Sequence, residues 1–127
     1  MYDVLIVEDS ATMRSLVVSS LEELGDEFKL TEAASGFEAL RQLPRCHFDL
    51  VVTDINMPDI NGLELVSFIK SNEIYRDIPL LVISTEGSER DRSKALELGA
   101  DAYLVKPFAP EALRAAARDL LDRAPRG

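Results

Sequence analysis

The chain has 127 residues, 46% of them apolar and 29% charged, with a formal charge of −9. That length suits one domain around a single core, and the acidic balance argues against a nucleic-acid surface, which needs clustered Lys and Arg to displace counterions. One cysteine, Cys46, excludes an intrachain disulfide and a cysteine metal cluster; with no basic-then-apolar leader and no apolar run near ~18 residues, the expectation is a cytoplasmic protein that meets no membrane.

In chain order, VLIV (4–7) reads as a first strand, and ATMRSLVVSSLEELG as a helix with Met13, Leu16, Val17, Leu21 and Leu24 at 3–4 spacing and Gly25 as its stop. FKLTEA (28–33) follows; its mixed polarity suits an edge strand. Gly36–Leu43 is helical, FDLVVT (48–53) a strand, Gly62–Ser71 a helix and PLLVIS (79–84) a strand. Ser88, with Asp91 three residues on, predicts the start of a fourth helix to Leu98, and Gly99 its stop. AYLV (102–105) is the last strand and Pro110–Arg123 the last helix.

Apart from FKLTEA these strands lack period-two alternation, as strands covered on both faces should. Five strand-then-helix repeats with right-handed crossovers predict an α/β fold, a doubly wound parallel sheet with helices on both faces. No repeat, low-complexity tract or linker divides it. Only Ala124-Pro125-Arg126-Gly127 follows the fifth helix, so a single domain over 1–127 without an output domain is expected in this chain.

Such sheets bind ligands beyond the carboxyl ends of their strands. Glu8 and Asp9 follow the first strand, Asp54 the third, Ser84 and Thr85 the fourth, and Lys106 then Pro107 the fifth. Each has an ordinary alternative: acids favour a helix start, a serine caps, and Lys-Pro makes a solvated turn. Their joint arrival at one edge argues for a site. Three neighbouring carboxylates resist joint ionisation, so one is protonated or a cation sits among them. Carboxylate oxygens suit a hard divalent ion such as Mg²⁺, with Mn²⁺ as an alternative. An aspartate beside such an ion can act as a nucleophile toward phosphorus, while a lysine and the metal neutralise the transferred group.

The runs VEDSATMR, VVTDINMPDINGLEL, VISTEG and GADAYLVKPF, in this order and on these elements, resemble the receiver domain of two-component response regulators, the CheY type. The resemblance covers essentially the whole chain and implies a five-stranded sheet of order 2-1-3-4-5. It also implies a phosphoacceptor switch in a phosphorelay. Asp54 would take a phosphoryl group from the phosphohistidine of a histidine kinase or phosphotransfer domain. Asp9, Asp54 and the backbone carbonyl of Asn56 would bind Mg²⁺, and Glu8, where many relatives have Asp, would reach it through water. Lys106 and the Ser84 hydroxyl would contact phosphoryl oxygens, and the Lys106–Pro107 bond would be cis. Tyr103 matches the switch aromatic that moves with Ser84. Asn56 and Glu86 occupy the positions that tune hydrolysis of the acyl phosphate, and this pair implies fairly rapid loss. Such a domain catalyses only its own phosphoryl transfer and dephosphorylation. Its output would be an unknown protein partner, met through the face of the fourth helix, fifth strand and fifth helix.

His47, at the amino end of the third strand, is expected outside the site, as a solvated loop residue beside a packed or half-exposed Cys46. Met13 and Met57 are assigned to the core stripe and the loop pattern. Arg90, Arg92 and Lys94 are expected on a solvated face that borders the partner surface. Asp49 enters its strand at the far end and reads as a solvated or capping residue, and Asp59 as a turn former. Other classes fit less well. A haloacid-dehalogenase-like phosphatase carries D-x-D where this chain reads Glu8-Asp9-Ser10, and a flavodoxin needs a Ser/Thr/Gly-rich loop where this turn is acidic. A pseudo-receiver is disfavoured because every chemical position is filled.

Overall fold

The structure, a computed structural model, describes residues 1–84 and 89–123. Glu86 and the predicted helix start at Ser88 lie outside them. Strands and helices alternate: β1 (Tyr2–Val7), α1 (Ala11–Glu22), β2 (Phe28–Ala33), α2 (Gly36–Gln42), β3 (Leu50–Asp54), α3 (Gly62–Ser71), β4 (Leu80–Ser84), α4 (Glu89–Glu97), β5 (Ala102–Val105) and α5 (Pro110–Arg123). A single 3-10 turn, Leu43–Arg45, extends α2 beyond its predicted end. The five strands form one sheet in the order β2-β1-β3-β4-β5 with all pairs parallel, as expected.

The unbroken apolar runs have a simple cause. Successive side chains of a strand point to opposite faces, and both faces are covered. Leu5, Val7, Val51 and Val82 pack with Ala39 of α2, Leu65, Val66 and Ile69 of α3 and Ala95 of α4. Val4, Ile6, Val52, Leu81 and Ile83 pack with Val17 and Leu21 of α1 and with Leu113, Ala117 and Leu120 of α5. β3 and β4, with a strand on each side, are buried throughout. β2, the expected edge, is only partly buried. Polarity does not mark the other edge, which the order 2-1-3-4-5 implies: AYLV is apolar throughout, yet β5 is half-buried and Val105 is exposed.

Helix α1 brings a second correction. Leu16, assigned to its core stripe, is exposed, and Met13 is only half-buried. The inner stripe runs instead through Val17, Ser20 and Leu21. Ser20 is tolerated there because its hydroxyl donates to the Leu16 carbonyl at 2.8 Å. Gly25 and Gly99 follow α1 and α4 at φ of 127° and 113°, the left-handed backbone in which a side chain is strained.

At the amino end of the sheet Lys70, near the close of α3, gathers several segments. Its ammonium donates to the carbonyls of Arg76 and Ile78 at 3.1 and 2.9 Å and to Asp101 Oδ2 at 3.0 Å. Asp101 Oδ2 also accepts the Leu80 amide at 2.8 Å. Asp49 is likewise a tie at this end, accepting the Asp3 amide at 2.8 Å. His47 and Cys46 are exposed here, at the opposite end of the sheet from the acidic residues.

At the carboxyl end Gly62 begins α3 directly over the end of β3. A Cβ there would stand 2.2 Å from the Asp54 carbonyl oxygen and 2.7 Å from Ile55 Cα. Both are backbone atoms and cannot swing aside, so Gly62→Ala is expected to cost on the order of 1–3 kcal/mol through overpacking. Urea denaturation beside the wild type checks this; a variant as stable as the wild type would mean that the crowding is harmless.

Candidate functional site

Each residue of the acidic edge is placed by the end of a strand. The Glu8 amide donates to the Ala33 carbonyl of β2 at 3.0 Å, continuing β1 past Val7. Asp54 is the last residue of β3 and lies in register with Ile83. The Ile55 amide donates to Ile83 at 3.0 Å, and the Gly62 amide to Ile55 at 2.8 Å, which fixes the chain beyond Asp54. Ser84 ends β4 fully buried, and its carbonyl accepts the Lys106 amide at 2.7 Å. The Lys106–Pro107 bond is cis.

The result is a buried cluster of charge. Glu8 and Asp54 are 4% and 5% exposed. Lys106 Nζ donates to Glu8 Oε1 at 2.9 Å and lies 3.2 Å from Asp54 Oδ1. The second contact is an ion pair off the hydrogen-bond direction, so among the described residues Asp54 Oδ1 is a buried acceptor without a hydrogen bond. Glu8 is satisfied at both ends, since its Oε2 accepts the Ser10 amide at 3.0 Å. Asp9 is exposed, beside the buried pair.

Burial pushes the Asp54 carboxyl above its ordinary range, and the Asp9 charge adds to this against the pull of Lys106. Burial likewise raises Glu8, with Asp54 contributing, against its hydrogen bonds to Lys106 and Ser10. Burial alone would lower Lys106, but the Glu8 hydrogen bond and the two carboxylate charges outweigh it and hold the ammonium above its usual value. One cation therefore serves two buried acids, with a third acid at the rim.

Carboxylate oxygens of Glu8, Asp9 and Asp54 lie within 4.8 Å of one another. This all-oxygen donor set, with an orphaned buried oxygen on Asp54 and more acid than cation, fits a hard divalent ion such as Mg²⁺. Asn56 is exposed and borders a cleft of about 550 Å³ with Asp9, Met57, Pro58, Asn61 and Asp91, so the cleft beside the cluster is itself acidic. Tyr103, on β5 opposite Val82, is half-buried and packs on the α2–α3–α4 side of the core. Arg92 is exposed and pairs with Glu89 at 3.5 Å, and Arg90 and Lys94 are exposed as expected.

Two residues of this edge escaped sequence reasoning. The Arg14 guanidinium donates to the Glu8 carbonyl at 2.8 Å and to Glu32 Oε1 at 3.0 Å, tying the acidic turn to β2. Its signal is an arginine in the first turns of the helix that follows the acidic pair. Asp59, read as a turn former, reaches out of its loop to α2, where it accepts the Gly36 and Phe37 amides. No spacing in the sequence announces that tie.

The sheet order, the acidic edge and the cis Lys-Pro turn define a receiver, and comparison with known proteins agrees. Residues 4–118 match the response regulator receiver domain, and the chain belongs to this family of two-component signalling proteins. It is 39% identical over 118 residues to a chemotaxis protein CheY homolog of Campylobacter jejuni, covering 92% of this chain and 90% of that one. Chemotaxis protein CheY4 of Vibrio cholerae superposes with a TM-score of 0.86 at 34% identity, covering 94% of this chain and 98% of that one. The receiver domain of a sensor histidine kinase from Pseudomonas aeruginosa, with a magnesium ion coordinated in its active-site cleft, gives a TM-score of 0.85 at 25% identity, covering 95% and 98%. No helix among the described residues is long and apolar enough to cross a membrane.

Proposed function

We propose that this receiver takes a phosphoryl group on Asp54 from the phosphohistidine of a histidine kinase or phosphotransfer domain, and that the acyl phosphate changes its affinity for a protein partner. The observation that carries the reading is the Asp54 carboxylate itself: buried at a strand end, facing Lys106, with one oxygen that accepts no hydrogen bond among the described residues. In the transfer an Asp54 oxygen forms a bond to phosphorus as the phosphorus–nitrogen bond to the donor imidazole breaks. The bonding pair stays on the nitrogen. Lys106 then turns its ammonium to a phosphoryl oxygen, and the Ser84 hydroxyl donates to another. Asp9, Asp54 and the Asn56 carbonyl would hold Mg²⁺, or Mn²⁺, with Glu8 behind a water. The ion supplies positive charge against the phosphoryl oxygens.

Ser84 and Tyr103 form the switch in this reading, displayed through α4, β5 and α5. Asn56 and Glu86 govern how soon water removes the phosphate. The chain is a phosphoryl acceptor that works on itself in the cytoplasm, not an enzyme acting on other molecules. Incubation with acetyl phosphate and Mg²⁺ is expected to add one phosphate, read by intact mass, and chelation with EDTA to prevent it. A protein that binds Mg²⁺ yet gains no phosphate would make it a binding module on the receiver fold instead.

A further inference from the structure

The segment between β3 and α3 carries the Asn56 carbonyl, and its ends are fixed by the Ile55 and Gly62 amides. Its middle is fastened from outside. Asp59 Oδ1 accepts the Gly36 amide at 3.2 Å, and Oδ2 accepts the Phe37 amide at 3.0 Å. The first amides of a helix have no partner within it. At α2 the Ser35 hydroxyl takes the Glu38 amide at 3.1 Å, the Ser35 carbonyl takes the Ala39 amide, and the Glu38 carboxylate reaches back to the Ala34 amide. The helix thus caps itself, and Asp59 takes the two amides that remain. The contact beside this tie is tight: a Cβ on Gly36 would stand 2.6 Å from Ile60 Cβ. The Phe37 amide, with those of Ile60 and Gly36, holds the exposed Asp59 carboxyl below the usual range, so it remains an anion.

We propose that Asp59 is a positioning residue: by fastening the loop after the phosphoacceptor to the start of α2, it holds the Asn56 carbonyl where a divalent cation between Asp9 and Asp54 can use it. This rests on the metal-binding site proposed above. Asp59 touches neither the cation nor the phosphoryl group; it acts through the loop.

Calorimetric titration of the whole chain with Mg²⁺, without a phosphodonor, tests it. Asp59→Ala is expected to weaken Mg²⁺ roughly tenfold, the lower end of what residues behind metal ligands contribute. Asp59→Asn, which keeps one acceptor oxygen, is expected to fall between that variant and the wild type. Ser35→Ala is the control: it strips a cap from the same helix without touching the loop, lowers the melting temperature, and leaves Mg²⁺ affinity unchanged. Wild-type affinity in Asp59→Ala, or an equal loss in Ser35→Ala, would overturn the proposal by reducing Asp59 to a helix cap. A wild type that binds no Mg²⁺ would overturn the metal-site reading and this proposal with it.

Discussion

Asp54→Asn is expected to abolish the phosphate adduct and, in metal-free buffer, to raise the melting temperature by a few degrees. The first effect follows from loss of the proposed nucleophile: an amide oxygen carries no negative charge to offer phosphorus. The second follows from the direction of the Asp54 shift. The folded protein holds the Asp54 proton more tightly than the unfolded chain does, because burial and the Asp9 charge penalise ionisation. Stability linked to this group is therefore fully present below the unfolded value and is lost as pH rises through the raised folded value. An asparagine avoids that loss and leaves Lys106 paired one-to-one with Glu8, 2.9 Å away. The advantage should be smallest in acid and grow as pH rises, and saturating Mg²⁺ should narrow it. Intact-mass spectra and melts from pH 4 to 8 in EDTA, on the order of the carboxylate range and above it, read both effects. A surviving adduct would move the acceptor elsewhere, and coincident melting curves at every pH would show that Asp54 carries no strain.

Lys106→Met should be the costliest change in the site, on the order of 3–5 kcal/mol, as when one partner of a buried ion pair is removed. The methionine stem replaces most of the lost packing, so the loss is electrostatic: Glu8 and Asp54, 4% and 5% exposed, would face each other without a cation. Both carboxyls already sit above their ordinary range with Lys106 present. Without it they rise further, so the deficit grows as pH rises through their folded values and shrinks in acid, where protonation relieves it. Urea denaturation in EDTA near pH 5 and pH 8, on the order of the ordinary carboxylate range and well above it, measures the difference. The same deficit at both pH values would mean that the lysine serves by packing rather than by charge. Mg²⁺ should restore part of the stability by supplying the missing positive charge.

The sheet was largely legible because burial on both faces leaves a plain mark, a run of Val, Ile and Leu without alternation, as in β3 and β4. Polarity also marked β2 as an edge. It failed for β5, where AYLV reads like an interior strand although no strand among the described residues pairs with its outer side. Leu16 failed for a related reason. Several apolar stripes fit α1, and the chosen one depends on Ser20 satisfying its hydroxyl locally, which hydrophobic spacing cannot weigh. The acidic edge was legible because the carboxyl ends of parallel strands share one side of the sheet, so strand-end residues meet whatever the loops do. Pairing within it was not. That Glu8 takes the shorter bond to Lys106 depends on ångström distances, and the reach of Asp59 to α2 on how two loops fold over each other.

The ammonium of Lys70 gives the molecule a stiff end and an adjustable one. It pins the close of α3, the approach to β4 and the turn before β5 to a single nitrogen, while Asp101 anchors the first residue of β4. β4 and β5 are therefore clamped where they begin and bonded to each other along their length, from Leu81 with Ala102 to Ser84 with Val105. A displacement started at Ser84 cannot be relieved by sliding one strand past the other. It must appear as bending about the clamped end, greatest at the tips, where Ser84 and Lys106 sit.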